Sequence, residues 1–135
     1  MSPLLPLRAA LLATLSGDAA LAEAMGGTVR IHDEPPFGSA PVYAIFGDAE
    51  ARDDSVDGAR RHQLDLSLVV FGQRGSTRSA LDAAERIVAL LDEAALTLVG
   101  HALVSLRVTS TATRRDERTG EIRATVTLKA VTEAV

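Results

Sequence analysis

The sequence predicts an α+β fold of two layers, in which an antiparallel β-sheet of about four strands carries helices packed on one face. Two late segments, residues 103–113 and 122–131, alternate between apolar and polar side chains, as strands with one buried face do. Apolar stripes of helical period run through residues 4–15 and 80–91. Because each helix has one apolar stripe, the apolar face of the sheet is the place where both can bury it.

The composition indicates a folded globular protein and excludes several kinds of site. With 135 residues, of which 47% are hydrophobic and 24% charged, one domain spanning 1–135 is expected. A net charge of -4 at pH 7 disfavours general affinity for nucleic acid. The chain has no cysteine, which excludes disulfides, thiolate metal sites and cysteine nucleophiles and suits folding in the cytoplasm.

The start of the chain predicts a doubled helix. Its first part is marked by leucines at helical spacing, Leu4, Leu7, Leu11 and Leu15. Asp18 can cap a second short helix, which Gly26-Gly27 ends by allowing positive φ. Prolines and Arg8 interrupt the apolar start, so a secretion signal is not expected. No apolar run approaches the ~18 residues needed to cross a bilayer, so no membrane partner is expected.

The middle of the chain predicts strands separated by loops. Residues 28–32 indicate a brief strand, followed by an irregular connection that contains Pro35-Pro36. A β-prone run over 42–46 ends at Gly47, and the small, acidic stretch 48–59 predicts an exposed loop. A long strand buried on one side follows, from Arg61 to Phe71.

The next segment predicts the clearest helix. Ser76 or Thr77 can cap it, and its apolar stripe consists of Ala80, Leu81, Ala84, Ile87, Val88 and Leu91. On its outer face, Arg78 can pair with Asp82 and Asp82 with Arg86 at i, i+4 spacing. We expect these charges to lie in solvent.

Three further strands are predicted near the end of the chain, a short one over 96–99 and then two long ones. The first long strand is expected to turn inward Val104, Leu106, Val108 and Ala112. The second is expected to turn inward Ile122, Ala124, Val126, Leu128 and Ala130. Residues 114–121 would join the two long strands as a charged hairpin tip.

No catalytic, metal or cofactor site is expected. The turn 72–76 lacks the spacing and the lysine of a phosphate-binding loop. The three histidines fall in separate segments without metal-ligand spacing: His32, His62 and His101. The acidic cluster of the 48–59 loop lacks the ligand series of a calcium site: Asp53, Asp54 and Asp57. No strained Gly-x-Ser-x-Gly turn for a nucleophilic serine occurs.

Several segments follow one another in a characteristic order. They are residues 18–22 leading to Gly26-Gly27, 30–33 before Pro35-Pro36, 41–47, 62–71, 89–92, 96–104, 114–116 and 125–132. In this order they resemble the DUF3168 family of tail-completion proteins, found in siphophages, prophages and gene transfer agents. The resemblance covers nearly the whole chain.

The resemblance implies a structural virion protein and not an enzyme. Such a tail terminator is expected to form a ring, a hexamer, at the head-proximal end of the tail tube, where it ends tube polymerisation and joins the tail to the head connector. Its expected partners are other copies of itself, the tail tube protein and the connector or stopper protein. DNA would pass through the lumen without specific binding. The expected location is the neck of a virion or gene transfer agent particle, assembled in the bacterial cytoplasm.

The candidate contact residues lie in the acidic loop and in the charged tip: Asp53, Asp54, Asp57, Arg114, Arg115, Glu117 and Arg118. Two alternatives stay open. One is a neck stopper or adaptor protein. The other is a stand-alone α+β ligand-binding or enzymatic domain, with a polar pocket built from the histidines.

Overall fold

A computed structural model describes residues 2–33, 42–73 and 76–135. The helices are α1 (Leu4–Ser16), α2 (Ala19–Ala24) and α3 (Thr77–Leu91). The strands are β1 (Ile31–His32), β2 (Tyr43–Asp53), β3 (Arg61–Phe71), β4 (Thr97–Leu98), β5 (His101–Arg115) and β6 (Ile122–Ala134). The expected Pro35-Pro36 connection and the Arg74-Gly75 part of the turn before α3 lie outside the described residues.

The strands form one sheet in the order β1-β2-β3-β6-β5-β4. This confirms the α+β class, but the expected number of about four strands is wrong, because six strands pair. The expectation of a purely antiparallel sheet is also wrong, since β1 runs parallel to β2. The short strands β1 and β4, of two residues each, lie within the segments 28–32 and 96–99 that the sequence indicates as brief strands, and their pairing with β2 and β5 brings the number to six.

The centre of the sheet is the pair β3 and β6, which match without irregularity from Arg61 opposite Glu133 to Phe71 opposite Arg123. Directly opposite residues point to the same face, so the apolar positions of both strands face one side. They are Leu64, Leu66, Leu68, Val70, Ala124, Val126, Leu128 and Ala130, each at most 5% exposed. Leu7, Leu11 and Leu15 of α1 and the stripe of α3 join them in one core. The helices therefore pack on this face, as predicted.

The doubled helix at the start of the chain is confirmed. The Asp18 carboxylate accepts a hydrogen bond from the Leu21 N–H at 2.8 Å, which caps α2. Beyond α2, Gly26 and Gly27 have φ of 94° and 121°, the left-handed region that favours glycine. None of the described helices is long and apolar enough to span a membrane.

An ion pair joins α2 to α3. Arg86 donates from Nε and Nη2 to the two carboxylate oxygens of Asp18, both at 2.8 Å. The predicted pair of Asp82 with Arg86 is therefore wrong, because the planar guanidinium binds the second carboxylate in a bidentate fashion. Arg78 does lie 3.6 Å from Asp82, and both side chains are exposed. The Arg86 hydrogen bonds and the α2 backbone lower the pKa of Asp18 to about 2.

The strand β2 continues beyond the predicted end at Gly47. A bulge between Phe46 and Ala49 interrupts its register, after which Ala49 to Asp53 pair with Leu66 to His62 of β3. The loop expected over 48–59 is therefore confined to 54–60. Backbone pairing with a long neighbouring strand outweighs the acidic, small-residue composition of this stretch.

The inward set predicted for β5 is partly wrong. Two bulges, between Leu103 and Ser105 and between Val108 and Ser110, shift its alternation. Val104 is 48% exposed, and Ala112 lies opposite Thr125 on the outer face. Leu106 and Val108 do face the core. From position 109 to Arg115 every residue of β5 is exposed, because the helical layer ends before this part of the strand.

Gly72→Ala is expected to destabilise the protein by about 1–3 kcal/mol, the usual range for overpacking. A Cβ at Gly72 would lie 2.9 Å from the Ala80 Cβ and 3.0 Å from the Ala80 backbone nitrogen, at the close approach of β3 and α3. Gly17→Ala is the matched control, since its nearest contact would be an ordinary 3.7 Å. Urea unfolding measures both; equal stabilities of the two variants would contradict the close approach.

Asp18→Asn is expected to destabilise the protein at neutral pH, because asparagine keeps the helix cap but loses the charge paired with Arg86. The folded-state pKa of about 2 lies below the ordinary 3.8, so the carboxylate contributes stability above pH 3.8 and loses it as the pH falls through 2. The difference in unfolding free energy between wild type and variant should shrink over that window. Asp82→Asn, at an exposed pair, should show no such pH dependence.

Candidate interaction site

The predicted acidic group forms the tip of the β2–β3 hairpin. Asp53 is the last residue of β2, Asp54 accepts a hydrogen bond from Gln63 Nε2 at 3.1 Å, and Asp57 precedes Gly58, whose φ is 77°. All three aspartates are exposed. The loop residues therefore present their carboxylates to solvent on a defined hairpin turn.

Hydrogen bonds organise the charge of this tip. The Asp53 carboxylate accepts from the Ser55 backbone N–H at 2.9 Å and from the Ser55 hydroxyl. These bonds lower the pKa of Asp53, with the side-chain bond as the larger cause. The Asp53 carboxylate therefore keeps its negative charge to a lower pH than an aspartate without these bonds.

The predicted basic group forms the tip of the β5–β6 hairpin. Arg114 and Arg115 end β5, and Glu117 and Arg118 follow in the turn. The Asp116 carboxylate accepts from the Arg118 N–H at 2.9 Å, which closes the turn locally. The four candidate residues are exposed, so their charges are available to a partner.

The two tips lie at opposite ends of the sheet. The acidic tip adjoins the end where Arg61 faces Glu133, and the basic tip adjoins the end where Phe71 faces Arg123. Along β3 these ends are about 33 Å apart at 3.3 Å per residue. The tips also lie on different sides of the central pair, since β2 and β5 flank it. The structure thus does not unite the candidate residues; it makes two separate surfaces.

A polar cavity of about 630 Å³ adjoins the acidic tip, lined by Ser2, Ala51, Asp53, Ser55, Arg60 and His62. His32 lies elsewhere, beside the ring of Tyr43, and His101 begins β5 and is 8% exposed. The three histidines are therefore not assembled into one pocket. Across residues 2–33, 42–73 and 76–135, no group of three or more His, Asp or Glu is arranged to hold a metal ion.

An apolar cavity of about 670 Å³ separates the start of α1 from the bulge of β2. Leu5, which is 75% exposed, lines it together with Phe46 and Leu66. The Arg8 guanidinium lies 4.4 Å above the Phe46 ring and pairs with Asp33. The sequence analysis did not predict this surface. The signal that could have indicated it is Leu5, an apolar residue of α1 outside the buried leucine stripe.

Comparison with known proteins relates the whole chain to a virion component. The sequence model of the family described as "Tail completion protein gp17" matches residues 9–133. Among solved structures, a chain of "Virion of native gene transfer agent (GTA) particle" is similar with a TM-score of 0.89 at 26% identity, covering 98% of both chains. No curated protein matches in sequence. The two similarities point to a structural protein.

Thr132→Val is expected to stabilise the protein by about 1 kcal/mol, because an unpaired buried hydroxyl costs free energy. Thr132 is 0% exposed, faces His62 across β3 and β6, and its Oγ1 has no hydrogen-bond partner among the described residues. Thr127→Val, at a half-buried position of β6, is the control and should change stability by less than about 0.5 kcal/mol. Thermal and urea unfolding would decide, and a loss of stability in Thr132→Val would mean that the hydroxyl is bound.

Proposed function

The chain belongs to the tail completion protein family, and on that premise we propose that it is the terminator of a tail tube. In this role it forms a ring, a hexamer, at the head-proximal end of the tube. The ring ends tube polymerisation and joins the tail to the head connector. The observation that carries the proposal is the family match over residues 9–133, supported by likeness to a gene transfer agent chain over 98% of both chains.

The proposed location is the neck of a phage virion or gene transfer agent particle, assembled in the bacterial cytoplasm. The proposed partners are further copies of this chain, the tail tube protein and the connector or stopper protein. Residues 1–135 act as one domain in this proposal. The shared core of helices and sheet supports it, because stripes from α1 and α3 and from β3 and β6 pack in one cluster.

The two hairpin tips are the proposed contact surfaces. A subunit between tube and connector needs surfaces that face in opposite directions, and the tips lie at opposite ends of the sheet. Their opposite charges would let each recognise a different partner. The residues proposed for contact with a neighbouring copy or with the tail tube are Asp53, Asp54, Asp57, Arg114, Arg115, Glu117 and Arg118.

The net charge of -4 supports a ring through which DNA passes without specific binding. DNA carries a dense negative charge, so a lumen rich in arginine would retain it. A protein that is acidic on average repels the polyanion and lets it slide. The lumen in this proposal is lined by neutral or acidic surface.

A neck stopper or adaptor is the alternative within the same structural class, and the tail phenotype separates it from the terminator. Loss of a terminator leaves tube growth uncontrolled, whereas loss of a stopper or adaptor leaves tails of normal length unattached to heads. The stand-alone binding or enzymatic domain has weaker support, because in the described part of the chain His62 alone of the three histidines lines the polar cavity.

Deletion of the gene in the producing strain is expected to yield overlong or aberrant tubes detached from filled heads. Electron microscopy of lysates measures tail length and attachment. Complementation with the wild-type gene should restore normal particles. Normal particles of normal length in the deletion strain would sink the proposal, and detached tails of normal length would favour the stopper or adaptor.

Complementation by the double variant Arg115→Glu/Arg118→Glu tests the basic tip as a contact surface. Both side chains are exposed, so we expect the variant to fold normally yet restore fewer complete particles. Arg78→Glu is the control, because Arg78 is 90% exposed and lies on α3, in neither of the two hairpins. Equal rescue by the tip variant and the control would contradict a role for this tip.

A further inference from the structure

One side of β5 is an open sheet edge. The strand β4 covers this edge only at His101 and Ala102. Further along, Leu106 accepts from the Glu93 N–H at 2.9 Å, and the Val108 N–H donates to the Asp92 carboxylate at 3.0 Å. Beyond the second bulge, over 110–115, no described residue pairs with the edge that faces away from β6.

The backbone groups at this edge follow from strand alternation. Leu106 and Val108 direct their polar groups away from β6, as their bonds to Glu93 and Asp92 require. The bulge adds one residue, so the next groups that point outward belong to Thr111, Thr113 and Arg115. Unpaired N–H and C=O groups in a row are a template for another strand.

The far half of β2 is the second open edge. Here β1 pairs only at Ala44 and Ile45. At the other end, the Asp54 N–H donates to the Arg61 carbonyl, so the backbone polar groups of Asp54 point toward β3. Because these groups alternate along a strand, those of every second residue counted back from Asp53 point away from β3. These residues are Ala49, Ala51 and Asp53. In the described part of the chain no strand lies against them.

The β5 edge carries an unrelieved positive charge. Arg114 lies directly opposite Arg123, and like charges at such positions are destabilising. Arg123 has its own partner, since its Nη2 lies 2.9 Å from Glu121, and its guanidinium lies 5.5 Å from the Phe71 ring centroid. Arg114 has no ion pair with any described residue. This position favours an acidic neighbour from outside the subunit.

The β2 edge carries the complementary charge. Glu50 lies directly opposite Asp65, again a like-charge pair. Arg52 binds Asp65 at 2.8 Å but approaches Glu50 only to 3.9 Å, so the Arg52 guanidinium compensates the charge of Asp65 more than that of Glu50. Glu50 and Arg114 both point to the outer face, away from the helices, because their cross-strand partners do. The two edges thus carry opposite charges on the same face.

We propose that the sheet continues from one subunit to the next, with the β5 edge of one copy paired with the β2 edge of its neighbour. This inference rests on the proposed ring. In the register that matches the outward backbone groups, Arg114 lies opposite Glu50 and relieves both like-charge pairs. Within a subunit β2 and β5 run in opposite directions, so the new pair is antiparallel. The contact is head-to-tail, the kind that closes into rings.

The register also sets how the strands lie in the ring. Within one subunit, the pairings through β6 and β3 place Arg115 level with the start of β2. In the proposed pair, Arg115 lies opposite Ala49 of the neighbouring copy. The offset is about seven residues, ~23 Å at 3.3 Å per residue. A closed array accommodates such an offset when its strands are inclined to the axis, as in β-barrels.

Cysteine cross-linking tests the pairing in particles purified from the complemented deletion strain. The natural chain has no cysteine, so any disulfide between copies of this chain must come from the introduced cysteines. Ala112→Cys and Arg52→Cys would face each other across the interface at a non-hydrogen-bonded position, where Cα atoms are ~4.5 Å apart, within disulfide range. Oxidation should give a ladder of multimers on a non-reducing gel. Ala112→Cys with Arg78→Cys, whose second site is on α3, should stay monomeric.

A charge swap provides a second, independent readout. Glu50→Arg and Arg114→Glu should each lower incorporation of the subunit into particles, and the double variant should restore it, because every interface regains an opposite-charge pair. Thermal unfolding of each free subunit checks folding. Particles of normal tail length with no ladder and no rescue by the double variant would overturn the shared sheet while leaving the terminator role intact. Normal tails in the deletion strain would instead remove the proposed function.

Discussion

The uninterrupted register of β3 with β6 is the constraint on which the rest of the structure depends. Because side chains alternate between faces, one register over the full length of β3 turns every second residue of both strands inward. A slip of β3 by one residue against β6 would turn Leu64 to solvent and Asp65 into the core. The helices then have one apolar surface to cover, and the outer face is left for charged and hydroxyl side chains.

The irregularities of the sheet are confined to the flanking strands. Bulges occur in β2 after Phe46 and in β5 after Leu103 and Val108, whereas the central pair has none. Bulges bend a strand and re-aim its side chains at small cost where packing is loose. The bulges therefore change the direction of β2 and β5 and of their side chains, while the central pair keeps one register.

The parts of the fold that sequence predicts are those in which one period persists. The inward positions of β3 and β6 and the stripe of α3 follow from alternation and helical spacing alone. The faces of Val104 and Ala112 do not, because a bulge leaves no local mark in composition. Arg86 pairs with Asp18 across 68 positions, which i, i+4 reasoning cannot find. Charge composition marked the two segments that carry the candidate contact residues, but their position at opposite ends of the sheet follows only from the register.

The bulge after Val108 limits the regular open edge of β5 to six residues, Ser110 to Arg115. A strand pair of this length is marginal in water by itself. Two free subunits would accordingly separate quickly, and an open chain of them would not persist in the cytoplasm. Subunits gathered on one surface meet at a high effective concentration, and each then holds two neighbours at once. In the proposed ring, the short edge would make association of subunits depend on a template, and unassembled subunits in the cell would not form rings prematurely.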